Sequence, residues 1–163
     1  WFKLVPWEYI AEEEPDLCKI LTQIVRRDLA VILNPAYTML FQSKGILKYL
    51  WDLFPNEPAL LEASLDEPMG RSNFPFVQKV FFGREGANVS IHDEIGLPVE
   101  VRGGEYEKQR SVYQALAELA RDEQGQYYQA GVFFAYEACG MGFRRSPQRI
   151  IDNGAQFVGH LVK

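Results

Sequence analysis

The order of two kinds of segment along the chain constrains its fold more than any other feature. The first third carries amphipathic helical patterns, and the part after residue 75 consists of short β-type runs separated by Gly, Pro, Asp and Asn. Helices followed by consecutive strands predict an α+β fold, with an antiparallel β-sheet and packed helices. With 163 residues and 47% hydrophobic content, the chain is long enough to bury a core as one domain or part of one.

Three segments of the first third predict particular elements. Residues 15–27 place apolar side chains at helical spacing, with Asp16 near the positive end of the helix dipole. Residues 29–33 are an unbroken apolar run closed by an Asn-Pro pair, which predicts a buried strand. A second amphipathic helix is predicted to have Ser43 as its N-cap and to end at Pro55.

The remaining sequence predicts a series of strands bounded by turn residues. They are predicted at residues 76–82, 87–91, 98–102, 111–115, 127–136, 139–145 and 156–162. The strands at 127–136 and 139–145 are predicted to form a hairpin that turns near Glu137.

The chain is acidic, with a formal net charge of −5 and a pI of about 5.1. Affinity for nucleic acid needs a surplus of clustered Lys and Arg, so this balance argues against a general nucleic-acid binder. No apolar run reaches the roughly 18 residues of a membrane span. Cys18 and Cys139 stand far apart without metal-ligand spacing. We therefore expect a cytoplasmic protein that contacts neither nucleic acid nor membrane, with both thiols reduced and packed in the core.

Two lysines are candidate anion ligands. Lys79 lies within the apolar run FPFVQKVFF, where a charged group is costly unless it meets a counter-charge, so it either points outward or binds a phosphate. Lys44 follows the predicted N-cap of the second helix. It is either an exposed first-turn lysine or an added charge at an anion site formed by helix N-terminal amides.

The segment GREGANV, which begins at Gly83, joins two predicted strands. It matches neither the Walker A nor the GxGxxG pattern, so it is either a plain surface turn or a hairpin tip whose amides bind an anion. Further on, Arg144 and Arg145 are adjacent in a predicted strand and should point to opposite faces of the sheet. One of them can then bind a phosphoryl group or carboxylate while the other is in water; the alternative is a surface pair.

Other chemistry has no support in the sequence. His92 and His160 lie in different segments without ligand spacing, and no Ser/His/Asp order stands out. No pair of acidic residues stands in a setting that requires Mg²⁺.

Several segments taken in order resemble one known family over nearly the whole chain. They are FKLVPWEYI, QSKGILKYLWDLFPNEPALLEA, VQKVFFGREGANVSI, VYQAL, GMGFRRS and IIDNGAQFVGH, and they resemble the C-terminal part of the glutathionylspermidine synthetase family. That family uses an ATP-grasp type of fold and includes acid–amine ligases. The resemblance implies an ATP-grasp-like C-terminal portion, with an upstream part absent. It also implies ATP-dependent joining of a small carboxylic acid or peptide to a small amine or polyamine.

The resemblance also implies roles for individual residues. Lys44 and Lys79 would lie on the phosphate and adenine side of an ATP cleft, and Arg144 would stabilise the acyl-phosphate transition state and the substrate carboxylate. The other implied nucleotide contacts are a flexible lid at Gly83, Arg84, Glu85, Gly86, Ala87 and Asn88, an adenine hinge at Gln114, Ala115 and Leu116, and a segment beside the nucleotide at Arg149, Ile150 and Ile151.

The chain also departs from the family's usual pattern. Arg145 stands where the family commonly has Glu, and the ending DNGAQF is altered. The acid and amine substrates therefore cannot be carried over, and a non-catalytic ATP-grasp-like binding or interaction module is the alternative. Because the family's Mg²⁺ ligands lie upstream of its FKLxPWE segment, we expect the magnesium-binding residues to lie outside these 163.

Overall fold

The computed structural model describes residues 1–68 and 74–161. Its helices come first in the chain: α1 (Trp7–Glu13), α2 (Pro15–Arg26), a single 3-10 turn (Ala36–Thr38) that runs into α3 (Met39–Gln42), and α4 (Ile46–Leu53). Two separate antiparallel sheets follow. This arrangement confirms the α+β class. Within the described residues, no helix combines the length and the apolar character needed to cross a bilayer.

Helix α1 is not among the predicted elements, although it has favourable terminal residues. Pro6 precedes it in an extended conformation, and Glu8 lies in its first turn, near the positive end of the helix dipole. Trp7 and Ile10 pack with Leu21 of α2 and with Ile32 to form the core of the helical part. This packing fixes α1 on α2, in agreement with the helix predicted from residue 15.

The predicted strand at residues 29–33 is wrong. The segment is a loop whose one sheet-like contact is an isolated bridge between Leu33 and Phe2. Ile32 is buried in the helical core, whereas Leu29 and Val31 are exposed. A run of apolar residues becomes a buried strand only where neighbouring strands pair with its edges and other elements cover its faces. In the described residues, no strand of either sheet pairs with this segment.

Helix α4 begins later than predicted. Gly45 occupies its N-cap position, and Ser43 instead accepts a hydrogen bond through Oγ from the Gly45 N–H at 3.3 Å. The segment before the helix is hydrogen-bonded to the residue that follows residues 76–80 of the sheet, because the Lys44 N–H donates to the Phe81 carbonyl at 2.8 Å. Lys44 is therefore placed beside the end of a strand rather than on a free helix surface.

The larger sheet has five strands in the order β1-β5-β2-β3-β4, all antiparallel. They are β1 (Ala63–Ser64), β2 (Phe76–Val80), β3 (Val89–His92), β4 (Pro98–Arg102) and β5 (Ser111–Ala115). The predictions for β4 and β5 are confirmed to the residue, those for β2 and β3 differ by one or two residues at their ends, and β1 is not predicted. Strands β2 and β5 lie side by side in the interior of the sheet.

The smaller sheet has three strands in the order β6-β7-β8. They are β6 (Tyr127–Ala135), β7 (Glu137–Ser146) and β8 (Gln156–Val158). Tyr136 forms the turn between β6 and β7 with a left-handed φ of 64°, which confirms the predicted hairpin. Cys139 on β7 is exposed, so the expectation of a core cysteine is wrong for this residue. Strand β8 ends at Val158, so the predicted strand over residues 156–162 is too long. Residue 162 itself lies outside the described residues.

The segment after β7 joins the two sheets. Ile150 packs with Val77 of β2 and Ile91 of β3 in a second apolar cluster. Its N–H donates to Glu100 of β4 at 3.1 Å, and Arg149 donates to the other oxygen of the same carboxylate at 3.0 Å. Both sheets therefore border one shared space.

Candidate functional site

A cleft of about 370 Å³ lies between the two sheets. Strands β2, β3 and β5 form one wall, β6 and β7 contribute to another, and the chain segments around residues 85 and 150 border it. Its charged or polar lining residues are Lys44, Lys79, Glu85, Gln129, Arg144 and Arg149. Its apolar lining includes Leu61, Val77, Val89, Ile91, Leu116 and Ile150. A mostly apolar cleft with a few convergent polar groups is typical of a small-molecule site.

Lys79 lies on β2 and faces the cleft. Its Nζ donates to Oε1 of the buried Gln114, on the neighbouring strand β5, at 2.8 Å. Burial lowers the pKa of Lys79, and the nearby Lys44 lowers it further. The structure therefore places this lysine in the cleft, not in open solvent.

Lys44 reaches the same cleft from the segment before α4. Its Nζ donates to the carbonyl of Gly83. Burial is the largest cause of its lowered pKa, followed by the charge of Arg84, while Glu8 raises it. Lys44 and Lys79 are thus two partly desolvated cations close enough to affect each other, which is unfavourable unless an anion balances them.

Residues 83–88, here called the glycine turn, connect β2 to β3 at the mouth of the cleft. Glu85, Gly86 and Asn88 have left-handed φ values of 55°, 75° and 51°, and the Ala87 N–H closes the turn on the Arg84 carbonyl at 2.7 Å. Of the six turn residues, Glu85 and Gly86 line the cleft. Gly83 does not line the cleft, but its carbonyl accepts a hydrogen bond from Lys44, which does.

The side chains of Arg84 and Asn88, two residues of the glycine turn, are engaged by neighbouring segments. The Arg84 guanidinium forms an ion pair with Glu8 of α1, away from the cleft. Asn88 accepts the Tyr106 N–H at 2.9 Å through its side-chain oxygen. Both side chains hold the glycine turn to neighbouring segments, and neither residue lines the cleft. The turn borders the cleft through Glu85 and Gly86.

A substitution at Gly86 tests whether the glycine turn shapes the cleft. A Cβ added there would lie 3.0 Å from Ile150 Cγ2 and 3.0 Å from the Ile151 carbonyl, at a φ of +75°. We expect Gly86→Ala to shift the turn or residues 150–151. If the cleft holds the ATP that the family resemblance implies, the affinity for it should fall by on the order of tenfold. The measurement is the dissociation constant of a non-hydrolysable ATP analogue for the full-length protein.

Gly96→Ala is the matched control for this substitution. Gly96 has a φ of +86°, but nothing lies within 4 Å of its added Cβ. Both variants therefore carry the backbone strain of about 1–2 kcal/mol, and only Gly86→Ala also meets the cleft wall. Equal nucleotide affinity in the two variants would show that the glycine turn does not shape the site.

The segment after β5 forms another border of the cleft. Ala115 and Leu116 line the cleft, and Gln114 contributes by holding Lys79. The N–H groups of Ala115 and Leu116 donate to the carbonyls of Glu62 and Pro75, at 2.9 and 3.0 Å. These two donors are therefore already used within the protein.

The two adjacent arginines of β7 point in different directions, as predicted. Arg144 is half-buried, lines the cleft and donates to Gln129 Oε1 at 2.6 Å. Arg145 is exposed and donates to Gln156 Oε1 at 3.1 Å. Arg149, Ile150 and Ile151 line the cleft as well, but Arg149 is already paired with Glu100.

Sequence reasoning missed three polar residues that orient these cations. Gln129 holds Arg144, Glu8 holds Arg84, and Glu100 holds Arg149. No pattern in the sequence points to them, because each partner lies at least 15 residues away along the chain. An amide or carboxylate next to an aromatic or apolar run is too common to be a signal by itself.

The charges of the cleft favour an anionic ligand. Its lining contains four cationic side chains, Lys44, Lys79, Arg144 and Arg149, and one acidic side chain, Glu85. Arg149 is neutralised by its pair with Glu100. The cleft therefore has a local excess of positive charge, although the chain as a whole has a net charge of −5, and such a local excess favours an anion.

The described residues do not form a metal site. Between residues 1 and 68 and between 74 and 161, no three His, Cys, Asp or Glu side chains stand close enough together to hold a metal ion. Two carboxylates near the cleft, Glu100 and Asp152, are engaged by Arg149 and Arg102. These residues do not fit a magnesium ion, so no step of the chemistry below is assigned to one.

The fold and cleft define an α+β protein whose two antiparallel sheets enclose a cation-rich cleft. The family model described as glutathionylspermidine synthase preATP-grasp matches residues 1–163. The chain belongs to this family, which confirms the resemblance drawn from the sequence.

Named relatives agree with this membership. A Haemophilus influenzae protein provisionally named acid–amine ligase is 31% identical over 166 residues, which cover 98% of this chain. The bifunctional glutathionylspermidine synthetase/amidase of Escherichia coli is 27% identical over 69% of the chain, and the trypanothione synthetase of Crithidia fasciculata is 24% identical over 96%. The matches span 40%, 18% and 24% of these three relatives. The relatives support a ligase family for this chain.

Proposed function

We propose that this chain supplies the nucleotide-binding part of an ATP-grasp carboxylate–amine ligase that forms an amide through an acyl phosphate. The observation that carries the proposal is the convergence of Lys44, Lys79 and Arg144, from three distant parts of the sequence, on one cleft. The names of the relatives indicate the chemistry, since acid–amine ligases and glutathionylspermidine and trypanothione synthetases all join an acid to an amine.

The proposed reaction has two steps. The substrate carboxylate attacks the terminal phosphorus of ATP, which yields an acyl phosphate and ADP. The amine then attacks the acyl carbon, the amide bond forms, and inorganic phosphate leaves. Catalysis of the first step depends on positioning and on stabilising charge more than on covalent help from the protein. Fixed cations in a partly desolvated cleft suit this requirement.

Lys44 and Lys79 are proposed to bind the phosphates of ATP. Both carry lowered pKa values because they are partly buried, and Lys44 further lowers the pKa of Lys79. A triphosphate between them would offset this cost by supplying the missing negative charge. Glu85, the one acidic side chain of the lining, is exposed, so a positive excess remains in the cleft.

The adenine is proposed to lie against Leu116 and the apolar cluster around Val77, Ile91 and Ile150. Because the N–H groups of Ala115 and Leu116 are used within the protein, they are not the groups that read the base. Recognition of the base would fall to carbonyl groups of this segment and to the backbone of Ala117, which also lines the cleft.

Arg144 is proposed to contact the transferring phosphoryl group and the substrate carboxylate. Its planar guanidinium binds either anion with two parallel hydrogen bonds. One of its N–H groups donates to Gln129, which holds the side chain in place. The guanidinium has five N–H donors, so others remain for an anion. A peptide-type acid and a polyamine are the substrate classes that the relatives' names suggest, and the magnesium of the reaction would be held outside this chain.

Proton uptake during nucleotide binding tests the role of the lysines. The pKa of Lys79 is lowered in the free protein, and phosphate oxygens would raise it again. Binding should therefore take up protons at alkaline pH, between the lowered and the raised pKa. The measurement is titration calorimetry of a non-hydrolysable ATP analogue with the full-length protein, in two buffers of different ionisation enthalpy.

The control variants separate Lys79 from lysines in general. Lys79→Met should reduce the uptake, whereas Lys19→Met should leave it unchanged, because the Lys19 side chain is 73% exposed on α2. Equal uptake in the wild-type and Lys79→Met proteins would contradict the phosphate role. Absence of nucleotide binding would remove the proposal as a whole.

A non-catalytic binding module is the second candidate. The observation that favours it is Arg145, which replaces the Glu that the family commonly has and bonds to Gln156 of the altered ending. The full-length protein would then bind the nucleotide analogue without releasing phosphate from ATP, whatever acid and amine are supplied. Release of phosphate that depends on both substrates would exclude this candidate.

A further inference from the structure

The side chain of Arg84 connects the glycine turn to helix α1. Its guanidinium pairs with Glu8 and lies over the ring of Tyr9, 5.2 Å from the ring centroid. Arg84 is therefore held by two consecutive residues of α1. Since α1 is itself packed in the helical core through Trp7 and Ile10, the turn is tied to a rigid element.

Glu8 is buried to an unusual degree for a carboxylate, with 8% of its surface exposed. Oε1 accepts from Arg84, and Oε2 is buried without a hydrogen-bond partner among the described residues. The charge of Glu8 also acts on Lys3 and Lys44, and it raises the pKa of each. A buried carboxylate whose hydrogen-bonding partner is a single arginine costs free energy to keep. This cost points to a role beyond packing.

A second connection runs from α1 to the far end of the turn. The hydroxyl groups of Tyr9 and Tyr106 lie 3.1 Å apart. The Tyr106 N–H donates to Asn88 Oδ1 at 2.9 Å, and Asn88 Nδ2 donates to the Gly104 carbonyl at 3.3 Å. Helix α1 thus holds Arg84 near one end of the turn and Asn88 at the other.

The turn needs such anchoring because its backbone is unfavourable by itself. Two of its non-glycine residues, Glu85 and Asn88, adopt left-handed φ values. This conformation is tolerated by Asn, but it is strained for Glu unless the surroundings impose it. Lys44 adds a third contact through the Gly83 carbonyl. The anchors therefore determine where Glu85 and Gly86 stand at the cleft.

We propose that Glu8 is a positioning residue that acts through Arg84 to hold the glycine turn against the nucleotide cleft. This inference rests on the proposed function for its consequence, the shielding of the acyl phosphate from water. Without the Glu8–Arg84 pair, the turn opens more often, water reaches the acyl phosphate, and hydrolysis competes with attack by the amine. Glu8 itself touches neither nucleotide nor substrate.

The first test measures the turn directly and needs no activity. In the full-length protein, Glu8→Gln should raise the hydrogen-exchange rate of the amides of residues 83–88 by on the order of tenfold, because local opening becomes easier. Glu12→Gln is the matched control, since Glu12 is an exposed carboxylate of the same helix. Unchanged exchange in Glu8→Gln, or an equal rise across all of α1 and the sheet, would overturn the proposal.

The second test measures coupling between phosphate release and amide formation. Glu8→Gln should raise the phosphate released per amide formed severalfold, whereas a merely destabilised enzyme would lose both products together. Arg84→Lys should keep part of the coupling, because it retains the charge that faces Glu8. In Glu8→Gln/Arg84→Met, the combined effect should be smaller than the product of the two single effects, as expected of directly interacting residues.

The outcomes distinguish failure of the inference from failure of the proposed function. If the unaltered protein releases no phosphate from ATP, the proposed function fails, and the exchange experiment still decides whether Glu8 holds the turn. If phosphate and amide remain in their original ratio in Glu8→Gln, the positioning role is wrong while the ligase assignment stands.

Discussion

Lys79→Met is expected to lower kcat/KM for ATP by on the order of a hundredfold or more. Lys79 is the cation of β2 that faces the cleft, and its lowered pKa shows that burial disfavours its charge. On the proposed function, this charge contacts the phosphates of ATP in the ground state and stabilises them more strongly as charge develops during transfer. The measurement is the steady-state rate of phosphate release by the full-length protein with its acid and amine substrates.

Stability needs a separate measurement for this variant. Removal of the Lys79 ammonium relieves its desolvation, but it also leaves the buried Oε1 of Gln114 without its donor, which costs about 1–3 kcal/mol. Thermal unfolding of Lys79→Met therefore accompanies the kinetics. Gln78→Met is the matched control on β2, because Gln78 points to the opposite face and bonds to Ser111. A wild-type rate in Lys79→Met, or an equal loss in Gln78→Met, would remove Lys79 from the site.

Arg144→Met is expected to lower kcat by on the order of a hundredfold, with a smaller change in KM for ATP. Arg144 lines the cleft and is oriented by Gln129 across the β6–β7 pair. The proposed contact is with the transferring phosphoryl group, whose charge distribution changes during the reaction. Loss of that contact removes stabilisation of the transition state in particular.

Arg145→Met is a closely matched control for Arg144→Met. It removes the same guanidinium from the next residue of the same strand, but that side chain is exposed and bonds to Gln156. Its kcat should stay within about twofold of the wild type, since surface changes away from a site have small effects. If Arg145→Met loses activity and Arg144→Met keeps it, the assignment of the two arginines is wrong and the cleft is not the reacting centre.

Much of the sheet structure was accessible from the sequence because the signals there are local. The alternation of residues and the flanking Gly and Pro predicted β4 and β5 to the residue and the β6–β7 hairpin within a few. The opposite directions of Arg144 and Arg145 follow from the same period of two. Such features need only neighbouring residues.

Other parts of the fold depended on partners that lie far away in the chain. Residues 29–33 have the composition of a buried strand, yet they form a loop because no strand flanks them. Helix α1 has only seven residues, which is too short for a clear periodic pattern, and it is stabilised mainly by packing against α2. The tertiary environment outweighed the local preference at residues 29–33, and it supplied what the local pattern lacked at α1.

The sequence by itself determined the α+β class, most of the strands and the family, because periodicity and motif order are properties of the chain alone. The tertiary structure decided which cations share the cleft. Lys44, Lys79, Arg144 and Arg149 line it, but Arg149 is paired with Glu100, 49 positions away. Arg84 does not line it and is held by Glu8, 76 positions away. The physical reason is that a charged side chain is directed by the nearest counter-charge in space, and residue spacing along a sequence does not specify that distance.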